Sequence, residues 1–420
     1  MTQAASPVVI LLLQLLVIMA AGRLVGWLFR RAGQTAVVGE MLAGVLLGPS
    51  LLGRAAPGVE SFLFPAPSMA ALHLISQLGV LLFMFVVGLE LDVAGLRHRA
   101  RATAVISNVG IVVPFCLGAL LAVRLYVPYA PAGVRFSTFA LFSGVAMSIT
   151  AFPVLARIIS ERGLSGTALG TAAIGCAAMA DVTAWCLLAI VLAVGRGSGM
   201  GAPLVAALSA ALIALVVLRA VRPQASRLFG SARDIVAPPA QISGVLVFMF
   251  VLALLTELIG IHAIFGAFLA GIAVGGAADL RDPLRRAVEP LAGAVLVPVF
   301  FAYSGLRTEI GLVHGWGDWI VCGAVIATAV VGKLGGTAVA ARWTGMPWLD
   351  SFALGALMNT RGLMELIVLN VGYDLNIISP ALYTMMVVMA LATTCMTGPL
   401  IGMLAPRPLT YRSSSADFAP

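Results

Sequence analysis

Apolar runs follow one another almost from end to end of this 420-residue chain, parted by short links that carry arginine. A helix of about 17–25 apolar residues is long enough to cross hydrocarbon. At that depth every backbone N–H and C=O has to find its partner inside the protein. A chain that is 61% hydrophobic and 10% charged, with a mean hydropathy of +1.07, has too little polar surface to fold as a soluble domain. The expected fold class is therefore an all-α polytopic membrane protein embedded in a lipid bilayer.

Thirteen spans are read, near 7–29, 36–53, 70–88, 102–123, 137–156, 168–194, 203–218, 241–257, 262–276, 288–303, 317–341, 350–370 and 380–404. They leave no room for a separate extramembrane domain. No Gly-rich phosphate loop is present. The first run has neither a basic leader nor a small-residue cleavage site, so it is read as a retained helix. The five cysteines are scattered through apolar runs without metal-ligand spacing and read as small core residues. With the N-terminus outside, seventeen arginines fall on one side of the spans and five on the other. That bias orients the chain with its C-terminus in the cytoplasm of a cell-membrane, multi-pass protein. It also accounts for the net charge of +8 without a nucleic-acid partner.

The sixth span, ALGTAAIGCAAMADVTAWCLLAIVLAV (168–194), holds one carboxylate near its middle, Asp181. An acid at that depth costs at least about 2.5–3.5 kcal/mol and is found facing a bundle interior or a wet cavity. Its helical neighbours Ala177, Ala178, Ala184 and Trp185 are small in three cases out of four, so another backbone or an ion has room to approach on that face. The alternative is a salt bridge to another helix.

Two spans are interrupted. The fifth carries Ser148, Thr150 and Pro153 at its centre, and the twelfth carries Asn359, Thr360, Arg361 and Gly362. Pro and Gly free backbone groups, which membrane depth tolerates only where they are buried or line a cavity. Interruptions at matching places in two halves point to a site at a repeat interface. The halves are repeat one, about 7–194, and repeat two, about 241–404, with 203–218 as the link. A six-span unit repeated after one linking span re-enters from the opposite side, so the repeats are expected to be inverted. Together, 1–405 form the transmembrane domain and 406–420 a short cytoplasmic tail.

Twenty-four of the 25 basic residues are arginine; the lone lysine, Lys333, sits in AVVGKLGGTAVAA among Gly332, Gly335 and Gly336. Those glycines suit a crossing point of two broken helices, whereas snorkelling to an interface is the plainer account of the lysine. Glu365 follows Arg361 by four residues and is expected to pair with it. Glu40 and Gln34 read as the start of the second span, with the acid favouring the helix dipole. Glu90 reads as either a mouth-lining acid or a solvated helix end. His262 reads as an ordinary core or interface histidine, and the methionines of 384–396 as packing.

Taken together, SITAFPVLARI (148–158), AMADVTAWCLLA (178–189), IHAIFGAFLAG (261–271), PVFFAYSGLRT (298–308), GKLGGT (332–337), MNTRGLMELIVLN (358–370) and MALATTCMTGPL (389–400) resemble the monovalent cation:proton antiporter-2 family. GEMLAGVLLGPSLLG (39–53) and LGVLLFMFVVGLELD (78–92) fit its opening spans. The resemblance implies thirteen spans with inverted repeats and two broken, crossing helices. It implies a dimerisation domain from spans 1–3 and 8–10, hence a homodimer, and a mobile core domain from spans 4–6 and 11–13. Asp181 matches the family's ion- and proton-carrying aspartate, Lys333 its core lysine, and Thr150 with Asn359–Gly362 the flanking crossover. The C-terminal nucleotide-binding domain of the potassium-efflux branch is expected to be absent.

One position departs from the family. Ala180 stands where members place Asp or Asn, leaving Lys333 to pair with Asp181 itself, to find another acceptor, or to lose its proton. The expected function is exchange of a monovalent cation, Na⁺ or K⁺, for protons. Asp181 is the shared carrier, Ser148 and Thr150 complete the oxygen shell, and Lys333, Asn359, Thr360, Arg361 and Glu365 support it. With one acid in the doublet the exchange is expected to be electroneutral, and no resident cofactor is expected. The second reading is a transport-silent antiporter fold, reused as a regulatory subunit or as an enzyme on a lipophilic molecule. No nucleophile–base pair or metal cluster beside Asp181 supports an enzyme.

Overall fold

The computed structural model describes residues 6–90, 100–164, 167–195, 201–230, 237–259 and 263–404. His262, the side chains of Pro153 and Trp185, and the expected tail 406–420 lie outside the described residues. Every regular element among the described residues is helical.

The first four apolar runs form α1 (Pro7–Arg31), α2 (Ala36–Leu47), α3 (Ala66–Glu90) and α4 (Ala100–Tyr129). The fifth is two helices, α5 (Phe136–Ser148) and α6 (Phe152–Glu161), and the sixth is α7 (Ala168–Gly195). Helix α8 (Gly201–Val216) precedes α9 (Pro239–Leu258) and α10 (Ala263–Gly275). A π-helical turn, Ala292–Leu296, joins α11 (Ala278–Leu291) to α12 (Val297–Leu306). Another, Val331–Gly335, joins α13 (Gly315–Val330) to α14 (Gly336–Trp343). The twelfth run is again two helices, α15 (Trp348–Met358) and α16 (Leu363–Asp374), and α17 (Pro380–Leu404) closes the described chain. Eight helical stretches among the described residues are long and apolar enough to cross a membrane, while α5, α10 and α15 are shorter apolar helices.

Both interruptions are real, but the first lies slightly N-terminal to its proline. Helix α5 stops where Ile149 turns extended, with φ −71° and ψ 140°, and Pro153 falls in the first turn of α6. There a missing N–H leaves no intrahelical bond unmade, so the proline starts a helix rather than kinking one. In the second break Gly362 has φ +153° and a Cβ on it would meet Val154 Cγ2 at 2.9 Å. A side chain is thus excluded by both conformation and space.

The tightest packing sorts the helices into two groups. Helices α1, α2, α3, α9, α10 and α12 pack on one another with α11 beside them, and α4, α5, α7, α13, α14, α15 and α17 form the second set, joined by α6 and α16. The segments are those assigned above to spans 1–3 with 8–10, and to spans 4–6 with 11–13. The second group contains both breaks, Asp181 and Lys333.

Candidate functional site

A helix that stops inside a membrane leaves its last four carbonyls without intrahelical donors. The two broken helices solve this with each other and with buried serine, threonine, arginine and lysine side chains. At the end of α5, Val145 O accepts from Ser148 Oγ at 2.8 Å, Ala146 O from Arg361 Nη1 at 2.9 Å, and Met147 O from Arg361 Nη2 at 2.6 Å. Ser148 O accepts from Lys333 Nζ at 2.5 Å. At the end of α15, Gly355 O and Leu357 O accept from the amides of Asn359 and Thr360 at 3.0 and 3.1 Å. Ala356 O lies 3.3 Å from Thr397 Oγ1, and Met358 O accepts from Thr150 Oγ1 at 3.1 Å. The breaks are stitched directly as well, since Ala151 N donates to Thr360 O at 3.0 Å. Positive charge at a helix C-terminus is favourable in itself, and α5 ends on two cations.

Arg361 and Glu365 form the expected pair, Nη1 to Oε2 at 3.2 Å, with both side chains fully buried. Glu365 lies in the first turn of α16, where an acid also complements the helix dipole. Thr360 Oγ1 lies 3.4 Å from Thr397 Oγ1 on α17. The expected supporting residues Asn359, Thr360, Arg361 and Glu365 are thus brought together with Ser148, Thr150 and Lys333 at one crossing.

Asp181 is carried on α7, which packs against α5, α6 and α15, the helices that flank the breaks. Its side chain is 1% exposed, and neither carboxylate oxygen has a hydrogen-bond partner among the described residues. Ala177, Ala178, Ala180 and Ala184 are buried around it on the same helix. The amide of Asn359 is in the same condition, fully buried with both polar atoms unpartnered. Unpaired buried polar groups cost free energy that native folds normally avoid. Asp181 and Asn359 stand on elements that pack together, and Glu365 Oε1 and Oε2, although ion-paired with Arg361, likewise make no hydrogen bond among the described residues.

The direct pairing of Lys333 with Asp181 is not what the structure holds. The two charges lie within electrostatic range, yet no ion pair joins them; Lys333 Nζ instead donates to the carbonyls of Ser148 and Gly110, the latter at 2.9 Å. The acceptors of Lys333 are thus backbone oxygens. The flanking glycines also do something other than expected. Gly332 faces α4, where a Cβ would meet Pro114 Cα at 2.9 Å, and Gly336 faces Val113, while Gly335 meets nothing. They let α4 approach the lysine turn rather than marking a crossing of the broken helices. Ser148 and Thr150 use their hydroxyl protons on Val145 O and Met358 O, which leaves only their oxygen lone pairs for a ligand.

A cavity of about 1040 Å³ lies between the two helix groups on the arginine-rich face and reaches Phe152, the first residue after the α5 break. Glu40 and Glu90 line it. Glu40 is paired with Arg157 at 3.6 Å and Glu90 with Arg285 at 3.4 Å. Glu40 therefore lies beyond the first turn of α2 and faces a cavity rather than supporting a helix start. Gln34 spans to α17, donating to Cys395 O at 3.0 Å. At the opposite ends of the helices the two groups are clamped. Arg307, just after α12, reaches Asp374 at 2.5 Å and Asn370 at 2.9 Å on α16, and lies 4.3 Å from the Tyr373 ring centroid. That clamp was not among the residues singled out from sequence; only the polar cluster NVGYD at the end of α16 hints at it.

Comparison with known proteins agrees with this architecture. A family profile described as "Sodium/hydrogen exchanger, transmembrane" matches residues 4–406. The chain is 42% identical over 406 residues to the "Na(+)/H(+) antiporter NhaS4" of Synechocystis sp., covering 95% of this chain and 98% of that one. It is 34% identical to "K(+)/H(+) antiporter 1" of Saccharomyces cerevisiae over 96% of this chain, but spans only 47% of the yeast protein's length. The fold is similar to the solved sodium proton antiporter MjNhaP1 of Methanocaldococcus jannaschii, with a TM-score of 0.61, 12% identity, and coverage of 93% and 96% of the two chains. The profile spans both broken helices, the aspartate helix and the lysine turn, so the chain belongs to the sodium/hydrogen exchanger family of membrane transporters.

Proposed function

We propose that this chain is a secondary antiporter that exchanges a monovalent cation, Na⁺ or K⁺, for protons, with Asp181 as the shared carrier. The observation that carries the reading is the buried carboxylate with both oxygens unpartnered, on a helix packed against two breaks whose own backbone is already satisfied. A proton neutralises it in one half-cycle, and a dehydrated cation does so in the other. The amide oxygen of Asn359 and the oxygens of Thr150 and Ser148 are the candidate remaining ligands. Membership of a transporter family sets aside the reading as an enzyme on a lipophilic substrate.

In this reading the α4–α7 and α13–α17 group is the mobile core, and the α1–α3 and α9–α12 group is the dimerisation domain of a homodimer. The repeats are inverted about the link 203–218, and the N-terminus lies outside with the C-terminus in the cytoplasm. The cavity beside Phe152 then opens inward, while the Arg307–Asp374 clamp closes the outer side. One carboxylate crosses either protonated or holding one cation, both neutral, so one proton exchanges for one cation and no net charge moves.

The test is proton flux in proteoliposomes carrying a trapped pH dye, with Na⁺ and K⁺ added in turn. Purified protein should collapse an imposed pH gradient on addition of one or both cations. Asp181→Asn should fold and give no flux; flux at the native rate in that variant would remove Asp181 from the mechanism.

A further inference from the structure

Lys333 is fully buried, and its ammonium is held by two backbone carbonyls rather than by a carboxylate. Each of those carbonyls is free for a reason written in the sequence. Ser148 O is free because α5 ends there. Gly110 lies in the interior of α4, where its carbonyl would ordinarily accept the amide N–H of residue 114. Residue 114 is a proline inside the helix, and proline has no N–H to give. The proline therefore turns an ordinary helical carbonyl into an acceptor, and Lys333 Nζ is 2.9 Å from it.

The approach is prepared from both sides. Gly332, next to the lysine, lies so close to α4 that a Cβ would meet Pro114 Cα at 2.9 Å. Gly110 lies so close to α14 that a Cβ would meet Thr337 Oγ1 at 2.9 Å. The lysine itself sits in the π-helical turn Val331–Gly335, a wider turn of the kind often found at functional sites. The charged and titratable groups within its electrostatic reach are Asp181 and Cys176 on α7, with Arg361 and Glu365 at the second break.

We propose that Pro114 is a positioning residue for ion exchange: by removing the donor to Gly110 O it creates the second acceptor that holds the Lys333 ammonium near Asp181 without pairing it to the acid. This rests on the reading of Asp181 as the carrier. The two carbonyls favour the charged ammonium, and a Lys333 that keeps its proton through both half-cycles is the condition that one-for-one exchange requires.

The experiment compares Pro114→Ala with Pro128→Ala, the other proline within α4, in wild-type and Lys333→Met backgrounds. Alanine at 114 restores the N–H, returns Gly110 O to the helix ladder and takes one acceptor from the lysine. In proteoliposomes Pro114→Ala should move the alkaline limb of the exchange–pH profile to lower pH and change the apparent cation KM on the order of tenfold, the weight of one charge-assisted hydrogen bond. Pro128→Ala should leave both unchanged. A second, transport-independent readout is thermal stability in detergent. Lys333→Met strands Gly110 O, so it should lower the Tm less when Pro114→Ala already supplies that carbonyl with a donor. Equal Tm losses in the two backgrounds, or a Pro114→Ala pH profile that overlays wild type, would overturn the proposal. Absence of exchange by the wild-type protein would instead defeat the carrier reading, and the Tm comparison would still decide the role of Pro114.

Discussion

Replacing Arg361 by methionine should be among the most damaging single changes in the membrane interior, and its size follows from the bonds on the page. The guanidinium alone satisfies Ala146 O and Met147 O, and it faces the fully buried Glu365 at 3.2 Å. Each stranded buried acceptor costs about 1–3 kcal/mol, and breaking a buried ion pair from one side costs about 3–5 kcal/mol. The terms overlap because one group serves all three, which puts the total on the order of 4–6 kcal/mol. Chains of 150–250 residues lose about 2–4 °C of Tm per kcal/mol and longer ones less, so the drop should be on the order of 5–10 °C. Differential scanning fluorimetry of the detergent-solubilised protein is the assay. Adding Glu365→Gln to Arg361→Met removes the stranded charge but not the stranded carbonyls, so the double variant should recover part of the loss. A Tm for Arg361→Met within two or so degrees of wild type would refute the claim that this side chain caps α5.

Three other outcomes are expected. At a fixed pH gradient, imposing a membrane potential with an ionophore should leave the equilibrium cation distribution unchanged. One net charge per cycle would instead couple by about 2.3 kcal/mol per 100 mV, more than tenfold in the ratio, and a voltage-dependent distribution would sink one-for-one exchange. Cysteines placed at Arg307 and Asp374, joined by a bifunctional maleimide, should hold the two helix groups together and stop exchange; undiminished flux in the cross-linked protein would show that this clamp need not open. Reagents that cross-link the protein in native membranes should trap a homodimer, and monomers across several mild detergents and after cross-linking would count against it.

The helices and both breaks were legible because they depend on composition and on backbone-breaking residues, which a sequence displays directly. The Arg361–Glu365 pair was legible as a four-residue spacing, although Arg361 itself lies in the break before α16. The partner of Lys333 was not. Reasoning from side chains alone could name Asp181 as a partner and leave room for another acceptor, but it could not say which one. The acceptors actually used are carbonyls, which every residue carries and no letter of the sequence distinguishes. They become visible only on asking which helical carbonyls have lost their donors. Pro114 answers that question for Gly110, just as Pro399 in α17 does for Cys395 O, which Gln34 takes up. The unpaired amide of Asn359 and the cavity beside Glu40 were hidden for a different reason. Whether a polar atom is left unpaired, or a helix start faces a cavity, depends on neighbours hundreds of residues away.

The last four carbonyls of α5 and of α15 are all satisfied by groups other than Asp181. Mutational drift in the immediate surroundings of the acid therefore leaves the crossing intact. Changes at the acid itself therefore leave the capping bonds of both broken helices in place. The groups that hold the broken helices together are thus separate from the acid proposed to carry the cargo, so the two can change independently.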